Sequence, residues 1–542
     1  MKLDFRNGIQ IKLYRIGVIL IFLITPFFCL KSFGFKPFLK SEPLKRSNDF
    51  ISVEETQKLY KQIFDLEFNS IAYQKETDKV KTPLHLVVED FRDILFILLT
   101  EDKKNYEKLE KNEELRLEEL ENFEDKRNKY YKEYKWAKAE IKLHWAMVKL
   151  RSDEKWASAW RVRQAYKLLL ENEKEFPTFI EQKKSLALLQ IVLASVPEKY
   201  KWALDLVGME GDLKGGIKKL DESLATNHFF QKETFLWKAL LQTYLLEENE
   251  KSNQIIANSL KKYPSEKLVL LASSLVLMKN ESHKTALLAW QNYARIYQNN
   301  QFVFNKAEHF SLEYLLAELY FYAENPKKAK FHYLSFLNNV KNKKFNFIKN
   351  SYYKLFLMDW FASRDINFNP KKNQFFMLIS SNGITKLAVD RQAKKMVDYV
   401  YEFGQLPNKN LYQAKVLTDG GNYQKALEIT NRINTSELQM WENQKQFEEV
   451  LEYKYRKARI LDKLNQTNQA IPFYEDVIEY STLHNQNEIH YFAANSALHL
   501  GFIYQNANKK LAKSYFEKAI SFKEHPYQAS ITQKAKLALK KL

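Results

Sequence analysis

Few stretches of this 542-residue chain have the residue types and spacing for catalysis. The one glycine cluster is "GMEGDLKGG", residues 208–216. It lacks the GK[ST] ending through which a phosphate loop positions its lysine, and the G-x-G-x-x-G spacing of a dinucleotide turn. A turn between helices is expected there. "HNQNEIH" sets His484 and His490 six residues apart, on different faces of a helix, which predicts a polar loop and no zinc site. There is no G-x-S-x-G and no H-E-x-x-H. The single cysteine, Cys29, leaves the body of the chain without a thiol nucleophile, a disulfide or a cysteine-ligated metal. These residues predict no enzyme and no cofactor.

Interaction chemistry is better represented. Residues 327–372 carry eleven Lys/Arg against two acids, interleaved with Phe331, Tyr333, Phe345, Phe347, Tyr352, Tyr353, Trp360 and Phe361. Such a mixture can hold phosphate backbones and stack bases, or hold anionic lipid headgroups or an acidic protein segment. It can equally be a helical core of aromatics with a solvated face of lysines. The formal charge of +19 is concentrated there and at both ends of the chain: residues 1–46 and 507–542 each carry nine Lys/Arg against two acids. The three segments together hold +23, so the remaining body is at −4.

The elements that would position these side chains are helices. Gly and Pro number only 12 each, too few for sheets with tight turns. "SALHLGFIYQNANKKLAKSYFEKAISF", residues 496–522, shows two amphipathic runs across a polar break, with Gly501, Ala512 and Ala519 where the helices would touch. The pattern recurs upstream. Residues 313–336 give Leu316, Ala317, Tyr320, Ala329, Tyr333 and Phe336; residues 458–477 give Ala458, Leu461, Ala470, Tyr474 and Val477. Looser copies fall at 143–166 (Ala146, Leu150, Trp156, Ala159), 204–223 (Leu204, Val207, Gly216, Leu220), 237–264, 270–293 and 413–433. Antiparallel helices about 8–10 Å apart need a small residue at closest approach. A lone hairpin cannot bury its apolar face, and stacked neighbours can.

These positions resemble the tetratricopeptide pattern, W-x2-L-G-x2-Y…A-x3-F…P, over roughly two-thirds of the chain. The fit is degenerate, with alanine-to-alanine separations of 41–44 residues in place of 34. The resemblance implies an all-α fold, a right-handed superhelical solenoid of tetratricopeptide-like hairpins, that binds other proteins in a concave groove. By the family's usual layout Tyr314, Glu318, Phe321 and Tyr322 would line that groove in one repeat, and Tyr455, Arg459 and Lys463 in another. It supplies no reaction.

Around the array, residues 1–34 contain Lys2, Arg6, Lys12 and Arg15 before the apolar run Ile16–Leu30, the layout of a signal peptide or N-terminal membrane anchor. Residues 35–50 follow as a linker. Residues 51–195 form an N-terminal helical region, with a Glu/Lys-rich stretch over 82–150 expected as long solvated helices supported by pairs such as Glu107–Lys111, and a first hairpin. Repeats over 196–365, an irregular inter-block segment at 366–408 and repeats with a capping helix over 409–542 complete the organisation. The functional expectation is a protein-binding scaffold or adaptor at the bacterial cell envelope, exported or membrane-anchored. Anionic lipid is a further partner through the Lys/Arg clusters, and nucleic acid is disfavoured. The alternatives are a cytoplasmic RNA-binding repeat protein and an enzyme with a site between the two blocks.

Overall fold

A computed structural model describes residues 50–68, 79–100, 103–196, 204–205, 207–298, 310–340, 345–365, 367–444, 446–484, 490–525, 527–539 and 542. The expected signal or anchor, and all of the linker except Phe50, lie outside the described residues. Among the described residues the chain is all-helical, its helices packed as neighbouring pairs, and the sole β feature is an isolated bridge between Phe50 and Val80. No described helix is long and apolar enough to cross a membrane.

Two compact units are present, and the division between them falls near residues 241–273 instead of at 366–408. The first unit contains α1 (Val53–Phe64), α2 (Pro83–Thr100), α3 (Lys103–Leu109), α4 (Lys111–Glu121), α5 (Tyr131–Arg151), α6 (Lys155–Glu175), α7 (Glu181–Ala194), α8 (Leu213–Ala225), α9 (Gln231–Leu241) and most of α10 (Asn249–Lys262). Its start is fixed locally by a capping box, in which Ser52 and Glu55 satisfy each other's backbone N–H groups.

The charged 82–150 stretch does hold two long helices, α2 and α5, but they are not solvated. It breaks at Glu110 and again after Glu121, so Glu107 pairs with Lys103 at 3.2 Å and not with Lys111. Its interior charges serve the core. Arg116 of α4 is buried and donates to Asp90 at 2.9 Å and to Asp93 at 2.5 Å, both on α2. Asp90 also accepts from Trp145 Nε1 at 3.0 Å and lies 2.9 Å from His144 Nδ1, both on α5. A second buried network centres on Lys184 of α7. Its ammonium lies 2.9 Å from Glu233 and 3.6 Å from Glu140, Tyr60 donates to Glu233 at 2.9 Å, and Trp136 and Ser185 donate to Glu140. Burial disfavours the charged lysine, but the two carboxylates outweigh it and hold its pKa above the ordinary value.

The second unit holds the end of α11 (Lys267–Lys279), α12 (His283–Tyr297), α13 (Phe310–Tyr322), α14 (Pro326–Asn339), α15 (Ile348–Ala362), α16 (Gln374–Ser381), α17 (Ala388–Phe403), α18 (Lys409–Asp419), α19 (Tyr423–Thr430), α20 (Thr435–Asn443), α21 (Phe447–Lys463), α22 (Thr467–His484), α23 (His490–Tyr504), α24 (Lys509–Ser521) and α25 (Gln528–Leu539). Segment 366–408, expected to be irregular, is instead mostly helical: a short 3-10 turn at Pro370–Lys372, then α16 and α17. Asparagine starts many of these helices. The side chains of Asn325, Asn408, Asn434 and Asn508 each accept the backbone N–H three residues on.

One turn closes five hairpins. The backbone N–H groups of Glu154, Ser282, Asn325, Asn422 and Gln466 each donate to the carbonyl five residues earlier, at 2.7–2.9 Å. The residue before each donor has positive φ: Asp153 68°, Glu281 59°, Glu324 59°, Gly421 79° and Asn465 60°. This is the Schellman ending, which satisfies the carbonyls a helix leaves open at its C-terminus. The turn between α23 and α24 has four residues between the helices instead of three, although Gly501 and Ala512 stand one residue closer in sequence than Ala317 and Ala329, and it closes with Asn508 N–H to Tyr504 carbonyl at 2.8 Å. Small residues sit where the helices meet. Ala317, Ala329, Ala458, Ala470, Ala497 and Ala512 are fully buried, and a Cβ on Gly501 would stand 2.4 Å from the Phe516 ring.

Three of the looser copies differ from the template. In the α5–α6 hairpin Trp156 is 55% exposed, and Ser158 faces inward instead, donating to the Ala146 carbonyl at 2.6 Å. The helix paired with α8 is α7 and not the 204–207 segment, because Gly216 lets α8 approach Ile191 and Ala187. In α10 the template's small position falls on Asn253, but the small buried residue is its neighbour Ser252.

The Lys184 network gives a stability test. Lys184→Met leaves Glu140 and Glu233 buried without their cation and lowers unfolding free energy by about 3–5 kcal/mol. Adding Glu140→Gln and Glu233→Gln recovers part of that loss, as read from urea denaturation.

Candidate binding face

The seven residues expected to line a groove all fall in the second unit, and each is engaged by other residues of the chain. On α13, Tyr314 accepts a hydrogen bond from Asn350 at 2.8 Å. One turn along, the buried Glu318 accepts from Tyr333 at 2.5 Å and from Asn350 at 3.0 Å. Phe321 and Tyr322 follow, and the Lys354 ammonium of α15 stands 4.3 Å from both ring centres while donating to the Tyr322 hydroxyl at 2.8 Å. On α21, Tyr455 is inside the core, its hydroxyl accepting from Asn495 and its ring against Tyr474, Tyr491 and Phe492. Arg459 and Lys463 point instead at Glu281, at 2.6 and 2.9 Å.

Glu281 and its neighbour His283 bring the two groups together. The ring of Tyr322 lies 4.3 Å from that of His283. Tyr423 of α19 donates to Glu281 at 2.6 Å, and the Asn422 side chain donates to the Tyr322 carbonyl at 3.0 Å. A Cβ on Gly421 would stand 2.0 Å from the Glu281 carbonyl oxygen, so both this approach and the φ of +79° demand glycine. Lys425 pairs with Glu324, so each of these turns is held by side chains from another hairpin.

The electrostatics follow from burial. Desolvation opposes ionisation of Glu281, but Arg459, Lys463 and the Tyr423 hydroxyl outweigh it and hold the carboxyl below its ordinary value. The same burial, with Lys354 adding to it, pushes His283 down to about 4, so its imidazole is neutral. This cluster is therefore a set of fixed charges and aromatic rings.

Sequence reasoning did not reach Glu281, His283, Lys354 or Tyr423. The signal that could have found them is positional: Glu281, Glu324, Gly421 and Asn465 occupy one place in successive turns. The basic-aromatic segment is divided by the fold. Tyr333, Phe345, Tyr353, Trp360 and Lys354 are buried, and Lys349 donates to the carbonyl of Ile379 at 2.6 Å, whereas Phe331 is 66% exposed. Within 364–409, where an enzyme site was the alternative, Asp390 is fully buried and its pKa is pushed up to about 6, burial outweighing two backbone hydrogen bonds. Those bonds come from the N–H groups of Phe347 and Asn350, so the carboxyl caps the start of α15. Among the described residues, no group of three or more His, Cys, Asp or Glu could hold a metal ion.

The sign of the Glu281 effect is fixed by its lowered pKa. Its contribution is present above the ordinary value of 4.5 and is lost as pH falls through the lower folded value. Glu281→Gln should weaken the second unit by about 2 kcal/mol at neutral pH, the pair being partly solvated. It should also flatten the loss of stability below pH 4.5. Hydrogen exchange of peptides from α18–α21 between acid and neutral pH reads both effects.

Compared with known proteins, the chain matches no protein-family model and no curated protein.

Proposed function

We propose that this chain is a non-catalytic scaffold or adaptor for other proteins, built as a right-handed superhelix of tetratricopeptide-like hairpins. It is held at the bacterial cell envelope by its N-terminal segment. The observation that carries the reading is the recurring turn, with positive φ at one position and the same five-residue backbone bond in five hairpins. Repeated units stacked on one another offer an extended, pre-formed surface, which binds with little ordering entropy.

The binding surface in this reading is formed by Tyr314, Tyr322, Arg459 and Lys463, which are partly exposed; Glu318, Phe321 and Tyr455 are buried and do not meet a partner directly. Apart from Arg459 Nε, which is buried without a hydrogen-bond partner, the polar groups of this surface are bonded within the chain, so a partner there mostly exchanges contacts. An acidic segment would compete with Glu281 for Arg459 and Lys463, which are 19% and 32% exposed. The envelope location is supported by the basic and apolar sequence of residues 1–34.

Cell fractionation with N-terminal sequencing tests the location, and capture from crosslinked envelopes tests the scaffold role. The expected result is a membrane-associated or exported product. It should retain a defined set of proteins that is reduced at least about tenfold by Arg459→Glu with Lys463→Glu, the order expected for reversing charges at an interface. A soluble cytoplasmic product beginning at Met1 and retaining RNA in a steeply salt-dependent way would sink both parts.

A further inference from the structure

The fold sorts the described lysines of residues 327–372 into two populations. Lys349 and Lys354 are buried and bonded within the second unit, while Lys327, Lys328, Lys330, Lys371 and Lys372 are exposed. Lys330, Lys371 and Lys372 are brought onto one surface through a chain of contacts, with Lys327 one turn before Lys330 on α14; Lys328 instead lies over the Tyr320 ring of α13, at 5.2 Å. Lys330, at the start of α14, lies 3.8 Å from Asp359 of α15 and 5.3 Å from the Phe375 ring of α16. Asp359 accepts from Asn373 at 2.9 Å, which follows directly on Lys371 and Lys372. Lys371 in turn stands 4.9 Å from the ring of Tyr401 on α17.

Exposed aromatics interrupt the lysines. Phe331 is 66% exposed and Tyr401 55%. A shallow depression lined by Phe331, Leu334, Ser335, Asn338 and Asn339 continues the surface along α14. The carboxylates nearby are Asp359, which is shared between Lys330 and Asn373, the exposed Asp365 beside the exposed Arg364, Glu402, and Asp398, which is paired with Lys394. Positive charge thus exceeds negative, and large apolar side chains stand among the cations.

We propose that this surface docks on an anionic lipid bilayer, its lysines facing phosphate headgroups and Phe331 and Tyr401 entering the interfacial layer. Charge complementarity selects an anionic partner, with each lysine near such a surface contributing about 1 kcal/mol. The protruding aromatics favour a bilayer over a nucleic acid, since amphipathic rings partition to the headgroup level of a membrane. The physiological setting rests on the envelope location proposed above, but the docking is a property of the surface and is measured without cells.

The test uses the full chain, reconstituted by flotation with vesicles of phosphatidylcholine alone or mixed with phosphatidylglycerol. Lys327→Glu, Lys371→Glu and Lys372→Glu are combined in one variant. Lys509→Glu, Lys510→Glu and Lys513→Glu on α24 form a second with the same change in net charge. Circular dichroism verifies that both fold. Because all retain residues 1–49, whose apolar affinity shows in phosphatidylcholine alone, binding is read as the gain from phosphatidylglycerol over phosphatidylcholine. The first variant should bind anionic vesicles on the order of 100-fold more weakly than the unaltered chain, and the second within a few-fold of it. Phe331→Ser should weaken vesicle binding without changing retention on RNA. Equal losses in the two triple variants, or no loss in the first, would overturn the assignment. So would a first variant that loses RNA binding while keeping vesicle binding. A chain found in the cytoplasm would remove the envelope reading and leave this measurement standing.

Discussion

Everything in the second unit depends on how its helices stop. A helix leaves carbonyls without partners at its C-terminus, and a chain that must reverse within three residues has few ways to satisfy them. Here the solution is a single residue in the left-handed region, followed by a backbone bond to the carbonyl five positions before. That conformation costs an L-residue about 1–2 kcal/mol. Glutamate occupies it at positions 281 and 324 and asparagine at 465. The cost is offset by side-chain contacts: Glu281 is clasped by Arg459, Lys463 and Tyr423, Glu324 by Lys425.

Packing then follows from volume. Where two helices cross, alanine or glycine lets the backbones come close, and large residues one turn away fill the space beside them. Tyr320, Tyr333, Phe336, Tyr455, Tyr474 and Phe516 do so, each almost wholly buried. The first unit solves a different problem. Its helices carry charge into the interior, and Arg116 and Lys184 bind carboxylates from other helices. Buried pairs of this kind add little net stability over an apolar core, but they penalise any arrangement that leaves one partner alone.

This contrast explains what could be seen in the residues alone. The hairpins at 313–336, 458–477 and 496–522 were legible because small residues at fixed spacing are a local signal, and Ala317, Ala329, Ala458 and Ala470 lie where that signal puts them. The pairing of α7 with α8 was not, since Gly216 gives a close approach without naming its partner. Trp156 looked like a core residue because of its size, and the inward place went to Ser158. The charges of 82–150 looked solvated because the partners of Arg116 are 23 and 26 residues away, beyond any helical period. The candidate face was half visible: its aromatic and basic members stand at recognisable helix positions, whereas Glu281 sits in a turn and matters through contact with α19 and α21, and His283 opens α12 and matters through contact with Tyr322 of α13.

The left-handed positions at 281 and 324 are separated by 43 residues, and those at 421 and 465 by 44, while the turn itself never changes length in these hairpins. A reversal that is already strained and gripped from outside has no slack for an added residue. Growth and divergence of such a chain are therefore confined to the opposite edge, where one hairpin hands over to the next. Between the hairpins that turn at 324 and 421, that edge has accommodated three whole helices, α15 to α17, without disturbing the reversals on either side.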